Sequence, residues 1–367
     1  MPFELEDTKQ QPLFKKKAKY TIKVIGVGGA GNNAVKRMVE KGIDDVELIA
    51  ANTDVQVLEL NPAPYKIQLG EKLTRGLGAG GNPVQGKESA IESLEKIKEY
   101  LENTDLLFIT AGFGGGTGTG AAPVIAKLAT EMNILTVAIV TTPFHFEGTT
   151  RDKIASEGIK ELKNNVDSLI KISNDRLIDP NENKPIDEIF AEADEVLYQA
   201  ITGISNLITK PGLINVDFAD VKSVLKGKGS AMLGIGYGKG ENKAEEAVRK
   251  ALESKILDNP VKNCTAVLVN ISGKNPTVQE LKTISNKLKD SAIDDANMKS
   301  GISIVDLPED EIKVTIIASG YDRFSEENTY EDNIYEQPAL YRYFGKSIVT
   351  DEISKVEKIL HEEESME

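Results

Sequence analysis

Between residues 111 and 123 the chain reads AGFGGGTGTGAAP, with glycine at 112, 114, 115, 116, 118 and 120. A β-rich run, DLLFITA (105–111), leads into it, and a helical stretch from about Thr117 to Met132 leaves it. A strand-to-helix turn does not need so many glycines. Such density fits a row of backbone N–H groups wrapped around a polyphosphate at a helix N-terminus. Thr117 and Thr119 add hydroxyl groups. The loop holds no Lys or Arg, so it is not a Walker-type P-loop. A flexible linker is a poor alternative, because both flanking segments are strongly patterned.

A second cluster, VIGVGGAGNNAV (24–35), follows the β-rich TIKVIGV (21–27) and opens a helix over about 31–40. Gly26, Gly28 and Gly31 fit G-x-G-x-x-G, a pattern shared with dinucleotide folds and with tight turns that bind nothing. A third, TRGLGAGGNP (74–83), precedes another helix. Glycine loops at strand carboxyl ends point to one crevice, where open α/β sheets bind ligands. A dehydrogenase has no use for two such loops on one sheet edge.

The rest of the N-terminal half alternates in the same way. ELIAAN (47–52), KIQL (66–69), ILTVAIVT (134–141) and DSLIKIS (167–173) read as strands, and 84–101 as a helix with Ile91, Leu94, Ile97 and Leu101 on one face. This predicts an α/β fold: a Rossmann-like parallel sheet covered by helices. Residues 185–208 read as one long helix with Ile189, Ala193, Val196, Leu197, Ala200, Ile204 and Leu207 as its apolar positions, a strut between two domains. After the loop KPGLINVDFADV comes a smaller α+β unit. Its strands are SAMLGIGYG, AVLVNIS, ISIVDL and KVTIIAS, with helices over 241–253 and 276–289. The expected division is an extension (1–18), a nucleotide-binding domain (19–184), a central helix (185–209) and a C-terminal domain (210–320). An acidic linker (321–336), an apolar-aromatic peptide (337–345) and an acidic tail (346–367) follow.

Composition removes other classes. At 367 residues the chain exceeds one compact core. A net charge of −14 argues against a nucleic-acid partner, which needs clustered Lys and Arg; Lys15–Lys17 and Lys19 read as a solvated flank. The start MPFELEDTKQ is no signal peptide and no apolar run would span a bilayer, so a cytoplasmic protein without membrane insertion is expected. Cys264, the single cysteine, sits in an apolar run and reads as a buried hydrophobe. Two histidines, His145 and His361, cannot make a His-rich metal site.

NVDFADV (215–221) places Asn215, Asp217 and Asp220 in a short span after the long helix. Carboxylates beside a triphosphate repel it unless they act on Mg²⁺ or on an attacking water. Equally, Asp217 would N-cap the next helix, with Asp220 in its first turn. Both readings can hold together.

GGAGNN, TRGLGAGGNP, GGGTGTG, PFHFEG and GLINVDFADV stand in the order and spacing of the FtsZ family, tubulin-related GTPases, and the chain resembles that family from about Tyr20 to Ser319. The resemblance implies a GTP- and GDP-binding protein that polymerises head to tail, with hydrolysis completed by the adjacent subunit, and a place in the mid-cell division ring. It implies phosphate contacts at Gly28, Gly29, Ala30, Ala79, Gly80, Gly115, Gly116, Thr117 and Gly118. Ribose would lie near Gly112, Glu147 and Arg151, and guanine would meet Asn33, Asn174, Phe190 and Asp194. Phe190 and Asp194 share a helix face, and a carboxylate can accept from guanine N1–H and N2 where adenine offers no such pair. Taken alone, the two would read as core and solvated surface. Asn215, Asp217 and Asp220 would act as the catalytic set on the neighbour's nucleotide. Mg²⁺ would be held by phosphates and water, with no protein cage.

The chain departs from the family in places. FEGTTR has threonines where a basic residue is common, though Arg151 remains, and KISND has Ser173 where proline is common. EQPALYR resembles the peptide that docks on membrane tethers such as FtsA, but it begins Glu336-Gln337-Pro338 and lies farther from the chain end. An aromatic-apolar patch on an acidic leash favours docking on such a tether through 337–345 over a strap packed on its own domain. A nucleotide-gated filament scaffold that binds GTP and polymerises but barely hydrolyses it is the alternative function, and the two acidic groups of NVDFADV argue against it.

Overall fold

The computed structural model describes residues 20–178, 184–209, 212–214, 216–254, 264–291 and 296–321. The extension 1–18, Asn215, the linker, the peptide 337–345 and the tail lie outside the described residues.

The runs rich in β-branched residues form the centre of a sheet. β1 (Ile22–Val27) is buried along its whole length and pairs in parallel with β2 (Val46–Asn52) and β4 (Leu106–Gly112). β3 (Tyr65–Gln68) extends the sheet beyond β2, while β5 (Leu135–Thr142) and β6 (Ser168–Ser173) extend it beyond β4, all in parallel. One apolar layer, including Val35, Met38, Phe108 and Ile139, covers one face beneath α1 (Gly28–Lys41) and α8 (Ile186–Thr209). The other layer, including Ile25, Ile109, Ala122 and Ile125, lies beneath α6 (Thr117–Glu131). A parallel sheet buried on both faces needs strands apolar throughout, as these are.

The sheet does not stop at the second half. β8 (Gly229–Lys239) pairs in parallel with β6 through Ser168–Ile170, so among the described residues eleven strands form one sheet, in the order β3-β2-β1-β4-β5-β6-β8-β11-β9-β10-β7. β11 (Glu311–Ser319) is antiparallel to β8 and to β9 (Ala266–Gly273), and β10 (Asn297–Ile304) is parallel to β9. β7 (Gly212–Ile214) adds antiparallel to β10. α10 (Lys243–Leu252) and α11 (Val278–Ser291) cover a separate apolar cluster here. At 24 residues, α8 is about 36 Å long. Among the described residues no helix is long and apolar enough to cross a membrane.

Four elements differ from the sequence reading. The helix expected over 84–101 breaks at Ser93 into α4 (Pro83–Glu92) and α5 (Leu94–Leu101). The Ser93 hydroxyl accepts from Gly70 N at 3.0 Å, and the break turns Ile91 outward, 50% exposed, while Ile97 and Leu101 stay buried. α7 (Thr149–Lys163) was not expected, because the residues it buries are Ala155, Gly158 and Leu162, two of them too small to mark an apolar stripe. β10 begins at Asn297, well before the expected ISIVDL, and Val305 leaves it. β7 lies in what reads as a loop. The short helices α2 (Val55–Leu60) and α3 (Glu71–Thr74) fill the connections around β3.

The halves are also joined at side chains. The Asp167 carboxylate accepts from Thr136 N at 3.0 Å and from Gly227 N at 3.2 Å. α9 (Phe218–Leu225) ends between the two halves: the Ser168 hydroxyl donates to Leu225 O at 2.6 Å and the Ser319 hydroxyl to Val224 O at 2.5 Å. Both serines are fully buried, so each satisfies a carbonyl that water does not reach. Ser168→Ala and Ser319→Ala should each lower stability by about 1–3 kcal/mol, read from urea unfolding. Midpoints equal to the parent's would mean that the α9 carbonyls find other donors.

Candidate functional site

α1 starts at Gly28 and α6 follows Gly116, and both start bare. Neither has a side-chain cap or an acidic residue in its first turn. Their leading N–H groups are therefore available for an anion, and the helix dipoles favour one. Gly28, at φ +72, brings the two ends together: a Cβ there would stand 2.8 Å from Gly118 N. The glycines divide by role. Gly26 and Gly31 pack α1 onto the sheet, since a Cβ on Gly31 would lie 2.4 Å from Thr110 O. Among the described residues, no atom beyond the adjoining backbone lies within 4 Å of a Cβ built on Gly29 or Gly115, and both line a cleft. Nothing inside the protein excludes a side chain there, so the bare backbone faces a ligand's space.

The cleft has a volume of about 430 Å³. Gly29, Ala30, Gly112, Gly115, Gly116, Thr117 and Gly118 line one part of it. Glu147, Arg151, Asn33 and Asn174 line it too, as do Phe190 and Asp194 from the first half of α8. Gly28, Ala79 and Gly80 are not on its lining. Ala79 is buried, and a Cβ on Gly116 would stand 2.9 Å from its methyl; Gly80 turns at φ +56 in the open. The loop 74–83 follows α3 and not a strand directly; its Asn82 caps α4, accepting from Val84 N at 2.9 Å.

Neighbouring groups hold these parts in place. Thr119 does not face the cleft; it is buried and its hydroxyl accepts from Gly114 N at 2.9 Å, fixing the glycine loop. The Thr117 and Thr53 hydroxyls meet at 2.7 Å. Glu147 accepts from Phe144 N at 2.9 Å and from Arg151. Asn32 was passed over in the sequence in favour of Asn33. It is fully buried, donating to Gly26 O at 2.8 Å and Ala51 O at 3.2 Å and accepting from Asn52. No sequence signal separates the two asparagines; only the direction of the helix does. Phe113, Thr141, Thr142, Pro143, Ala193 and Leu197 also line the cleft, and sequence reasoning missed them.

The end of the cleft lined by α8 suits a flat ring. Phe190 is 43% exposed, lines the cleft and meets Phe144 edge to face at 5.2 Å. The Asn174 Oδ1 is buried without a hydrogen-bond partner in the protein, so it can accept from a donor in the cleft, ligand or water. Burial pushes the Asp194 carboxyl up to about 6, with Arg37 pulling the other way. A flat, donor-bearing base at this end and an anion at the bare helix ends describe a nucleotide.

The Tubulin/FtsZ family GTPase-domain model matches residues 21–182, and the FtsZ family C-terminal domain model matches 229–322. The chain is 43% identical to FtsZ of M. jannaschii, solved as an empty dimer, over 84% of this chain and 90% of that one, with a TM-score of 0.80. The chain belongs to the FtsZ family. It is thus a GTPase of the tubulin/FtsZ type. A mutant of the same M. jannaschii protein matches at 44% identity, TM-score 0.80, over 83% and 92% of the two chains. The GTPγS-bound protofilament of CetZ2 from Haloferax volcanii shares the fold, with a TM-score of 0.69 at 21% identity over 85% and 98%.

In this FtsZ-family chain Asp217 and Asp220 stand apart from the cleft lining. Asp217 caps α9, its Oδ1 accepting from Asp220 N at 2.7 Å, and Asp220 lies in the first turn. The Asp220 Oδ1 meets Lys299 Nζ at 2.8 Å. Asn215 lies outside the described residues. Among the described residues no three His, Cys, Asp or Glu side chains gather to hold a metal ion.

Asp194 yields a pH prediction. Its carboxyl titrates near 3.8 in the unfolded chain and near 6 in the folded one. Across that window the folded protein keeps a proton the unfolded chain has lost, so this group's contribution falls as pH rises. Asp194→Asn should therefore stabilise the nucleotide-free protein by about 1–2 kcal/mol at about pH 7.5, with the gain shrinking toward about pH 4. Urea unfolding of both proteins at several pH values checks this.

Proposed function

We propose that this protein binds and hydrolyses GTP and polymerises head to tail, one subunit holding the nucleotide and the next completing the site. The observation that carries the reading is a separation. Among the described residues the cleft lining carries two carboxylates, Asp194 beside Phe190 on α8 and Glu147, which is engaged by Arg151 and Phe144 N. The acidic pair of α9 lies off the cleft. Binding groups and hydrolytic groups then meet only between molecules. The dimer of the M. jannaschii relative supports self-association.

Each group has a chemical task. Gly28, Gly29, Ala30, Ala79, Gly80, Gly115, Gly116, Thr117 and Gly118 hold the phosphates through backbone N–H groups and the Thr117 hydroxyl. Gly112, Glu147 and Arg151 border the ribose. Phe190 stacks on guanine, Asp194 accepts from its N1–H and N2 amine, Asn174 offers its unpaired oxygen, and Asn33 borders the ring. Asn215, Asp217 and Asp220 of the neighbouring subunit orient the attacking water, which displaces GDP from the terminal phosphorus in line. Mg²⁺, when bound, would be held by the nucleotide and water rather than by a protein cage and would supply charge neutralisation. The cellular setting is the division ring at mid-cell, with 337–345 docking on a tether such as FtsA.

Hydrolysis per molecule should be measured against protein concentration, with light scattering in parallel and ATP as control. Turnover is expected to appear only above a threshold, together with scattering. Turnover per molecule independent of concentration would mean a self-contained site and would refute the shared one. Asp217→Ala should bind GTP as the parent does while hydrolysis falls by about a hundredfold or more. Loss of nucleotide binding in that variant would sink the assignment of Asp217 to the neighbour's site.

A further inference from the structure

We propose that Lys299 of β10 is a positioning residue for hydrolysis, acting through Asp220 to hold that carboxylate aimed across the subunit contact; the inference rests on the shared-site reading above.

The argument starts from the strand. β10 carries β7 at Ile302 and Ser303, and the chain runs from β7 through Val216 into α9. Gly301 lets this happen: a Cβ there would stand 2.7 Å from Val216 Cγ2, and Val216 is buried. α9 therefore follows directly on a segment anchored to the strand that bears Lys299, while the helix itself packs on β9 and β11. A lysine a few residues along β10 is within side-chain reach of the first turn of α9. Lys299 Nζ meets Asp220 Oδ1 at 2.8 Å, with both side chains about one-third exposed.

The first turn of α9 then has an ordered arrangement. Each carboxylate is fixed by one oxygen: Asp217 Oδ1 by the amide of Asp220, Asp220 Oδ1 by Lys299. Asp217 is exposed and Asp220 half-buried, so both carboxylates are within reach of solvent. A carboxylate held at one oxygen and open at the other can orient a water; one turning freely in solvent loses most of that benefit. The ammonium also offsets charge. Two carboxylates approaching a triphosphate meet repulsion, and a cation bonded to one of them reduces it. Asp220 first, with Asp217 behind it, raises the Lys299 ammonium above its ordinary range, so it stays charged wherever the enzyme works. As an exposed ion pair it adds little to stability. Its effect belongs to geometry and charge at the contact.

The test uses full-length protein. Lys299→Met keeps the stem and removes the charge, and Lys299→Arg keeps the charge. Lys299→Met should bind GTP and assemble at the parental threshold, yet turn over about tenfold to a hundredfold more slowly once assembled. Lys299→Arg should recover most of the rate. Added salt should slow the parent more than Lys299→Met, since it screens the exposed pair. In an Asp220→Asn background Lys299→Met should add nothing further. Parental turnover in Lys299→Met, or full additivity with Asp220→Asn, would overturn the inference. Loss of assembly in both lysine variants would assign Lys299 to the contact itself and would also overturn it. If Asp220→Asn alone hydrolyses at the parental rate, the shared site falls, a failure distinct from parental turnover in Lys299→Met with Asp220→Asn inactive.

Discussion

Two helix N-termini meet at one point, and the candidate site follows from that meeting. α1 and α6 begin on neighbouring strands of a parallel sheet, so their uncapped N–H groups emerge at the same edge. Backbones approach this closely only where no Cβ intervenes, which is the place of Gly28 against Gly118 and of Gly31 against Thr110. The result is a positive field made of amides, with Arg151, paired to Glu147, as the cationic side chain on the lining among the described residues. An anion held by fixed dipoles needs no reorganisation of flexible side chains, which suits phosphate binding.

The second half of the chain depends on continuity of the same sheet. β6 pairs with β8 over three residues, and Asp167 and Ser168 carry the connection into the turn before β8 and the end of α9. α9 is clamped at its end by Ser168 of the first half and Ser319 of the second. Its first turn, which bears the acidic pair, is tied to β10. The acidic pair is thereby placed by both halves at once, away from the cleft that the first half builds. A shared site between subunits is a natural use of such a division.

Much of this was legible as pattern. The strands of the first half are buried on both faces and rich in β-branched residues, so their existence and order showed in the chain. α8 showed through its apolar stripe, of which Leu197, Ala200, Ile204 and Leu207 are buried. The elements that stayed hidden are those whose packing residues are small or polar. α7 buries Ala155 and Gly158; β10 opens on Asn-Met-Lys-Ser and is held by pairing to β9. The break at Ser93 depends on a hydrogen bond to Gly70, far away in sequence, so local periodicity ran straight through it.

By itself the sequence determined the fold class, the bare helix starts and the residue types around the cleft, because backbone freedom, apolar periodicity and capping are local properties. Tertiary structure alone decided which of Asn32 and Asn33 would be buried. It turned Thr119 inward onto Gly114, left the Asn174 oxygen unpaired, raised the Asp194 carboxyl and joined Lys299 to Asp220. Each of these depends on what a distant segment brings within a few ångströms. Burial and electrostatics act through space, and no spacing along the chain records them.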